Sequence, residues 1–352
     1  KRRIRMHRKG VNYDVGRVMG GNWRPDYDPV LVQRELAIVQ GDLHCNAVKI
    51  CGRDIRRLVL AAECALDLGL EVWLSPELWN KSPDTTLAYL TRAATAAERL
   101  RQRSPNRFVL SVGTELTLFM RGIVPGRNYA QRTRQPALRE TLRTGIQHAP
   151  LATYLAEATR AVRSVFDGPI TYASLPWEQV DWSLFDIIGI DHYCMEQLAD
   201  RYRDTLRPLV ALGKPVVITE FGCRTFVGAE QRGAMGPWNV DFGSLVLHHM
   251  PLLGRYFPPR VKRVRERSEQ VQACALIRQL ELLDSAGVDG AFVFQFVQPL
   301  NPYSADPCHD LDADSFSLVR SYARGRHGTT YPDMVWEPKE SFRAVATYYA
   351  TH

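Results

Sequence analysis

Two apolar runs in this chain end in a carboxylate. The first is Phe108-Val109-Leu110-Ser111-Val112-Gly113-Thr114-Glu115, and the second is Lys214-Pro215-Val216-Val217-Ile218-Thr219-Glu220-Phe221-Gly222. In parallel α/β proteins the C-terminal ends of buried strands open onto the face that takes ligands. Two glutamates at such ends, about three βα units apart, would therefore share one cleft. Carboxyls held near each other separate into an acid and a base, because neighbouring like charges disfavour double ionisation and raise one of the two pKa values. Glycoside hydrolysis is one reaction that uses such a pair. Its retaining form needs the carboxyls ~5–5.5 Å apart and its inverting form roughly 6.5–9.5 Å apart.

For the two glutamates to meet, strand ends must converge, and the sequence pattern provides for that. Short β-branched runs alternate with amphipathic stretches, which predicts parallel strands joined by helical crossovers. Eight strands are expected, at 10–13, 47–50, 71–74, 108–112, 170–173, 187–190, 216–219 and 291–296. Between them, 54–68 carries an apolar stripe of Leu58, Ala61, Ala62, Ala65 and Leu66, and Gly69 stops it. Further helices are expected from Asp84, over 270–283 ended by Gly287, and over 340–349 as the closing helix.

The pattern predicts a (β/α)₈ barrel with long insertions after strands 4 and 7, and a truncated crossover at 177–185 between strands 5 and 6. Residues 10–352 are read as one catalytic domain behind a basic tail, 1–9. The architectural rival, a doubly wound open sheet, lacks its glycine-rich loop, since strand 1 ends in Tyr13-Asp14-Val15-Gly16.

Composition removes other classes. With 352 residues, 45% apolar and 24% charged, the chain reads as globular. No apolar run approaches the ~20 residues of a membrane span, so no membrane partner is expected. The net charge of +7 gathers at 1–9, 121–143 and 260–267 without the interleaved aromatics of a nucleic-acid surface. Solvated surface is the reading of these runs, and no nucleic-acid partner is expected. Arg121, Arg127, Arg132 and Arg134 lie beside the strand 4 carboxylate, where they would suit an anionic sugar. The cysteines 45, 51, 64, 194, 223, 274 and 308 form no CxxC pair, which favours reduced thiols and the cytoplasm. The N-terminus shows no signal-peptide h-region, but the sequence begins at Lys1 and not at Met, so secretion stays open as the alternative. The acidic run Asp306, His309, Asp310, Asp312 and Asp314 lacks the glycine and terminal glutamate of a calcium loop; it reads as a solvated loop, with no metal.

The segment Val216-Val217-Ile218-Thr219-Glu220-Phe221-Gly222 resembles the strand 7 nucleophile motif of the clan A retaining glycoside hydrolases, the 4/7 superfamily. Asn46-Ala47-Val48-Lys49-Ile50, Asp191-His192-Tyr193 and Phe294-Gln295-Phe296 are similar to the clan's strands 2, 6 and 8. Trp336-Glu337-Pro338-Lys339-Glu340-Ser341-Phe342 looks like its entry into helix 8, so the likeness runs from Gly10 to Tyr349. The arrangement is especially similar to that of bacterial endo-β-mannanase-like members; a weaker resemblance is to actinobacterial proteins labelled abortive infection protein, a label that defines no reaction.

The resemblance implies Glu220 as nucleophile, Glu115 as general acid/base, Tyr193 as hydrogen-bond donor to Glu220, a carbohydrate substrate and no cofactor. Asn12, Tyr13, Asp14, Arg53, Glu77, Trp79, Thr114, His192 and Gln295 are the expected substrate-binding residues. The sequence departs from the clan at recognition positions. Thr114 stands where Asn usually precedes the acid/base, the strand 2 arginine has its equivalent in Lys49 or Arg53, and strand 8 lacks its Trp platform. A glycosyl-transferring enzyme and a non-catalytic carbohydrate-binding or defence-related barrel stay open beside the hydrolase.

Overall fold

The computed structural model describes residues 6–18, 21–234, 239–248, 250, 256–323 and 326–352, with side chains except at 200, 242, 245 and 246. Most of the expected basic tail therefore lies outside the described residues.

Eight parallel strands close into a barrel in sequence order: β1 Arg8–Asp14, β2 Ala47–Gly52, β3 Glu71–Pro76, β4 Phe108–Thr114, β5 Ile170–Ser174, β6 Ile188–Asp191, β7 Val216–Phe221 and β8 Gly290–Val293. The barrel is the (β/α)₈ architecture that the alternating pattern predicts. β1 begins at Arg8, inside the segment read as tail, because Arg8 Nε donates to Glu71 and Lys9 Nζ to the Tyr349 carbonyl. β8 ends at Val293, three residues short of the sequence expectation.

The helices are α1 Pro29–Gly41, α2 Ile55–Asp67, α3 Pro83–Arg103, α4 Leu116–Phe119, α5 Tyr129–Arg132, α6 Gln135–Thr144, α7 His148–Arg163, α8 Ala199–Val210, α9 Phe242–His248, α10 Glu269–Ala286 and α11 Glu340–Thr351. In α2 the buried residues are the predicted stripe, and Asp54 caps its first turn by accepting from the Arg56 and Arg57 amides. Ser268 caps α10, which ends where Gly287 takes φ +79°, a conformation that costs glycine little. Between β5 and β6 only a 3₁₀ turn, Trp182–Leu184, forms, in keeping with the truncated crossover.

Side chains alternate across the barrel wall. Ala47, Trp73, Val109, Ile187, Val217 and Phe292 form their own cluster, apart from the larger one shared with the helices. Trp73 and Phe292 meet with ring centroids 5.0 Å apart although β3 and β8 are not neighbours, so this cluster fills the interior. Above it the inward positions turn polar, with Asn12, Lys49 and Glu220 all buried. That change of layer puts charge at the C-terminal mouth of the barrel.

The basic and acidic runs are less solvated than their composition suggests. Arg132 is buried and donates to the carbonyls of Leu118, Phe119 and Gly126 and to Asn80 Oδ1, bracing the segment after β4. Asp310 and Asp312 are buried too, paired with Arg267, and Asp312 also pairs with Lys339. No helix among the described residues is long and apolar enough to cross a membrane.

Candidate active site

Glu220 is set in β7 beside a register shift, opposite Asp191 of β6. Bulges of this kind re-aim side chains at strand ends. Its Oε1 accepts from Arg17 Nη2 at 2.8 Å and from Lys49 Nζ at 2.9 Å, and its Oε2 accepts from the Tyr193 hydroxyl at 3.2 Å. Burial would raise this carboxyl, but the charges and hydrogen bonds of Lys49 and Arg17 outweigh burial and hold its pKa at about 2. Arg17 Nη2 also donates to Glu77 Oε1 at 2.8 Å, so one guanidinium ties two carboxylates together.

Glu115 follows β4 in a left-handed conformation, φ +44° and ψ +44°. A non-glycine residue pays about 1–2 kcal/mol for that. The conformation is fixed from both sides. The Glu115 amide donates to the Ala173 carbonyl, and the next amide, of Leu116, donates to the Tyr172 hydroxyl at 2.9 Å. Tyr172 in turn donates to Glu178, which also accepts from the Thr117 and Leu175 amides. Glu178 thus sets the turn that aims Glu115. The Glu115 carboxyl is raised well above the ordinary range, first by burial and then by the charges of Asp191, Glu220 and Glu178.

The two glutamates are therefore in electrostatic contact with opposite settings. Asp191 lies on the wall between them, and burial and the Glu220 charge push it up to about 8. Among the described residues, Asp14 Oδ2, Arg17 Nε, Asp191 Oδ2 and Gln295 Oε1 are buried at this mouth without a hydrogen-bond partner. Unpaired buried polar atoms are costly and mark a place made for a polar ligand or water.

The other sequence-predicted residues divide by direction. Tyr193 reaches Glu220, and Glu77 joins through Arg17 while also accepting from Trp79 Nε1. Thr114 is buried, its hydroxyl 3.2 Å from that of Ser75. Asp14 faces the mouth and accepts from the Gly16 and Arg17 amides, which holds the Arg17 loop. Asn12 lies beneath, a strut donating to the Thr219 carbonyl at 3.0 Å.

Four expectations change. Tyr13 points outward and donates to Glu35 of α1, because it alternates with Asn12 and Asp14 along β1. His192 turns away from its neighbour Tyr193 to stack on Tyr202 of α8 and bond Thr205 at 2.8 Å; burial lowers it to about 4. Trp79 offers no open platform, since Phe119 stacks on it at 3.9 Å and Trp23 meets it edge-on. Arg53 is exposed and its side chain is not among the partners of Glu220.

The cations that do reach Glu220 are Arg17, which the sequence reading missed, and Lys49, which it left open. Lys49 was marked by its pattern: a lysine between Val48 and Ile50 in an apolar strand faces the interior and needs a carboxylate there. Arg17 lies in a loop, where no periodicity reports direction. Just after β8, the Phe294 ring meets Tyr193 edge-on and its centroid lies 5.2 Å from the Arg17 guanidinium.

No protein-family model and no curated protein matches the sequence. Solved structures share its fold. A GH113 β-1,4-mannanase superposes with a TM-score of 0.61 at 15% identity, over 98% of this chain and 99% of that one. A GH113 β-mannanase from Alicyclobacillus acidocaldarius gives 0.54 at 16%, over 98% and 97%. A β-glucuronidase from an uncultured Clostridium species gives 0.56 at 16%, over 99% of this chain and 51% of that one.

Proposed function

We propose that this protein is a retaining glycoside hydrolase of the clan A type, with Glu220 as nucleophile and Glu115 as general acid/base. The observation that carries the proposal is the placing of two carboxyls at the ends of β4 and β7 with unlike partners. Glu220 accepts from two cations, which lower its pKa, whereas the Glu115 carboxyl is raised by burial and by the charges of neighbouring carboxyls. The mannanases and glucuronidases that share the fold support a carbohydrate substrate.

The steps follow from the hydrogen bonds. Glu220 Oε1 is occupied by Arg17 and Lys49, so Oε2, which accepts from Tyr193, is the attacking atom. Oε2 bonds to the anomeric carbon as the glycosidic C–O bond breaks, and the departing oxygen takes the Glu115 proton. Glu220 is now neutral as an ester, and the loss of its charge lowers the pKa of Glu115. Glu115 then accepts a proton from water, whose oxygen attacks the anomeric carbon and frees Glu220. Arg17 and Lys49 stabilise Glu220 as it leaves.

A panel of nitrophenyl β-mannosides, β-glucosides and β-glucuronides and the corresponding oligosaccharides, followed by proton NMR, tests the proposal. The first-formed sugar keeps the anomeric configuration of the substrate. An inverted first product, or no bond cleaved across the panel by the wild-type protein, overturns it.

A further inference from the structure

Of the carboxyls at the barrel mouth, Asp191 is the one that the proposed mechanism leaves unused. Its place follows from strand register. Ala173 of β5 pairs with Gly189 of β6, Ser174 with Ile190, and Asp191 with Glu220 of β7. Glu115 donates its amide to the same Ala173. Around the wall from β4 to β7, Glu115, Asp191 and Glu220 therefore lie on neighbouring levels, with Asp191 between the other two.

The Asp191 side chain is 2% exposed, and one oxygen accepts from Thr219 Oγ1 at 2.6 Å while the other has no partner. The groups facing it are Thr219 and Glu220 from β7, Lys49 from β2, Arg17 from the loop after β1, and Glu115. The groups facing Glu115 are Asp191, Glu220, Glu178 and Lys49, with the hydroxyls of Tyr129, Tyr172 and Tyr193 beyond them. Arg17 and Lys49, the cations that face Asp191, are hydrogen-bonded to Glu220.

We propose that Asp191 is a positioning residue for the proton of Glu115: a neighbouring carboxyl that competes for charge and so keeps the acid loaded. Two carboxyls on one arc that share their cations with Glu220 cannot both ionise cheaply. The pair therefore retains a proton as pH rises, and burial and the Glu220 charge, which raise Asp191 as well, act in the same direction. When Glu220 is esterified its charge disappears but Asp191 stays. The remaining repulsion keeps Glu115 basic enough to take the proton of the incoming water.

The inference rests on Glu115 being the acid/base, yet its first test needs no substrate. With glutamates labelled at the carboxyl carbon, the Glu115 resonance is assigned by its loss in Glu115→Gln and titrated by carbon NMR. In Asp191→Asn, which keeps an acceptor for Thr219, the Glu115 midpoint falls by about one pH unit or more, the size expected for removing an adjacent like charge. Thr219→Val removes the hydrogen bond and leaves the charge, so its midpoint stays high. If Asp191→Asn does not fold, Asp191→Ser serves, being neutral and smaller. An unchanged midpoint in a folded neutral variant overturns the inference, as does a fall of equal size in Thr219→Val.

The second test is kinetic. The alkaline limb of kcat/KM in Asp191→Asn moves to lower pH by the same interval, and an unmoved limb contradicts the inference. A protein that cleaves no glycoside but shows the NMR shift would sink the proposed function and leave the Asp191–Glu115 coupling standing.

Discussion

Two clusters of buried charge in this barrel are built on opposite plans. Behind β8, Arg267, Lys339 and Arg320 face Asp310, Asp312 and Glu269, in matched number among the described residues. There the Lys339 ammonium is also within reach of Thr225, Ser315 and Ser317, and Asp312 accepts from Ser315. At the barrel mouth, Arg17 and Lys49 face Asp14, Glu77, Glu115, Asp191 and Glu220, and oxygens of Asp14 and Asp191 are unpaired. Except at Arg320 Nε, the charged groups of the first cluster are hydrogen-bonded; it joins α10, α11 and the loop after β8. The unsatisfied one holds charge in excess of its partners, which is how acid and base strengths are set apart. Burial alone does not separate structure from chemistry here; the balance of partners does.

The sharpest break of this comparison sets Glu220→Gln against Asp312→Asn. Glu220→Gln reduces turnover about 10⁴-fold or more, because it removes the proposed nucleophile, and it also costs about 3–5 kcal/mol of unfolding free energy, because it leaves the buried Lys49 and Arg17 without that carboxylate. Asp312→Asn separates the two effects. It strands Lys339 and costs about 3–5 kcal/mol of unfolding free energy in denaturant titration, with kcat of the folded fraction unchanged.

Glu115→Gln comes next. It slows glycosides with poor leaving groups about 10²–10⁴-fold, and those with activated leaving groups far less, since only the former need the proton. Lys49→Met follows with about 10²-fold in kcat/KM, by loss of one charge-assisted partner in a dry site. Its direction in pH is fixed by sign. Glu220 is depressed to about 2 in part by Lys49, so the wild-type acid limb lies far below neutral and moves upward in the variant. Tyr193→Phe costs roughly tenfold, the net worth of about one hydrogen bond to a charged group. Arg53→Ala, outside the cluster, stays within about twofold of wild type, as surface changes do.

Periodicity made most of the fold legible. The α2 stripe and the eight strand positions are written in apolar spacing, and Glu115 and Glu220 stand out because an apolar run ends on each. Direction was harder to read at strand ends. Tyr13 and His192 sit next to residues of the site, yet the alternation of strand and turn sends both outward to helices. Arg17 carries no periodic signal, and it reaches Glu220 only because Asp14 folds the loop back. The acidic run at 306–314 looks solvated by composition, whereas its cationic partners, Arg267 and Lys339, come from far along the chain. Local pattern cannot register such partners.

The most direct measurement of the central claim is trapping of the glycosyl-enzyme. The protein is incubated with activated 2-deoxy-2-fluoro glycosides of the sugar types that it cleaves, then examined by intact mass and peptide mapping. One adduct per chain is expected, on Glu220, absent from Glu220→Gln. An adduct on Glu115 instead, or no adduct from a protein that turns over the parent glycoside, would contradict the claim.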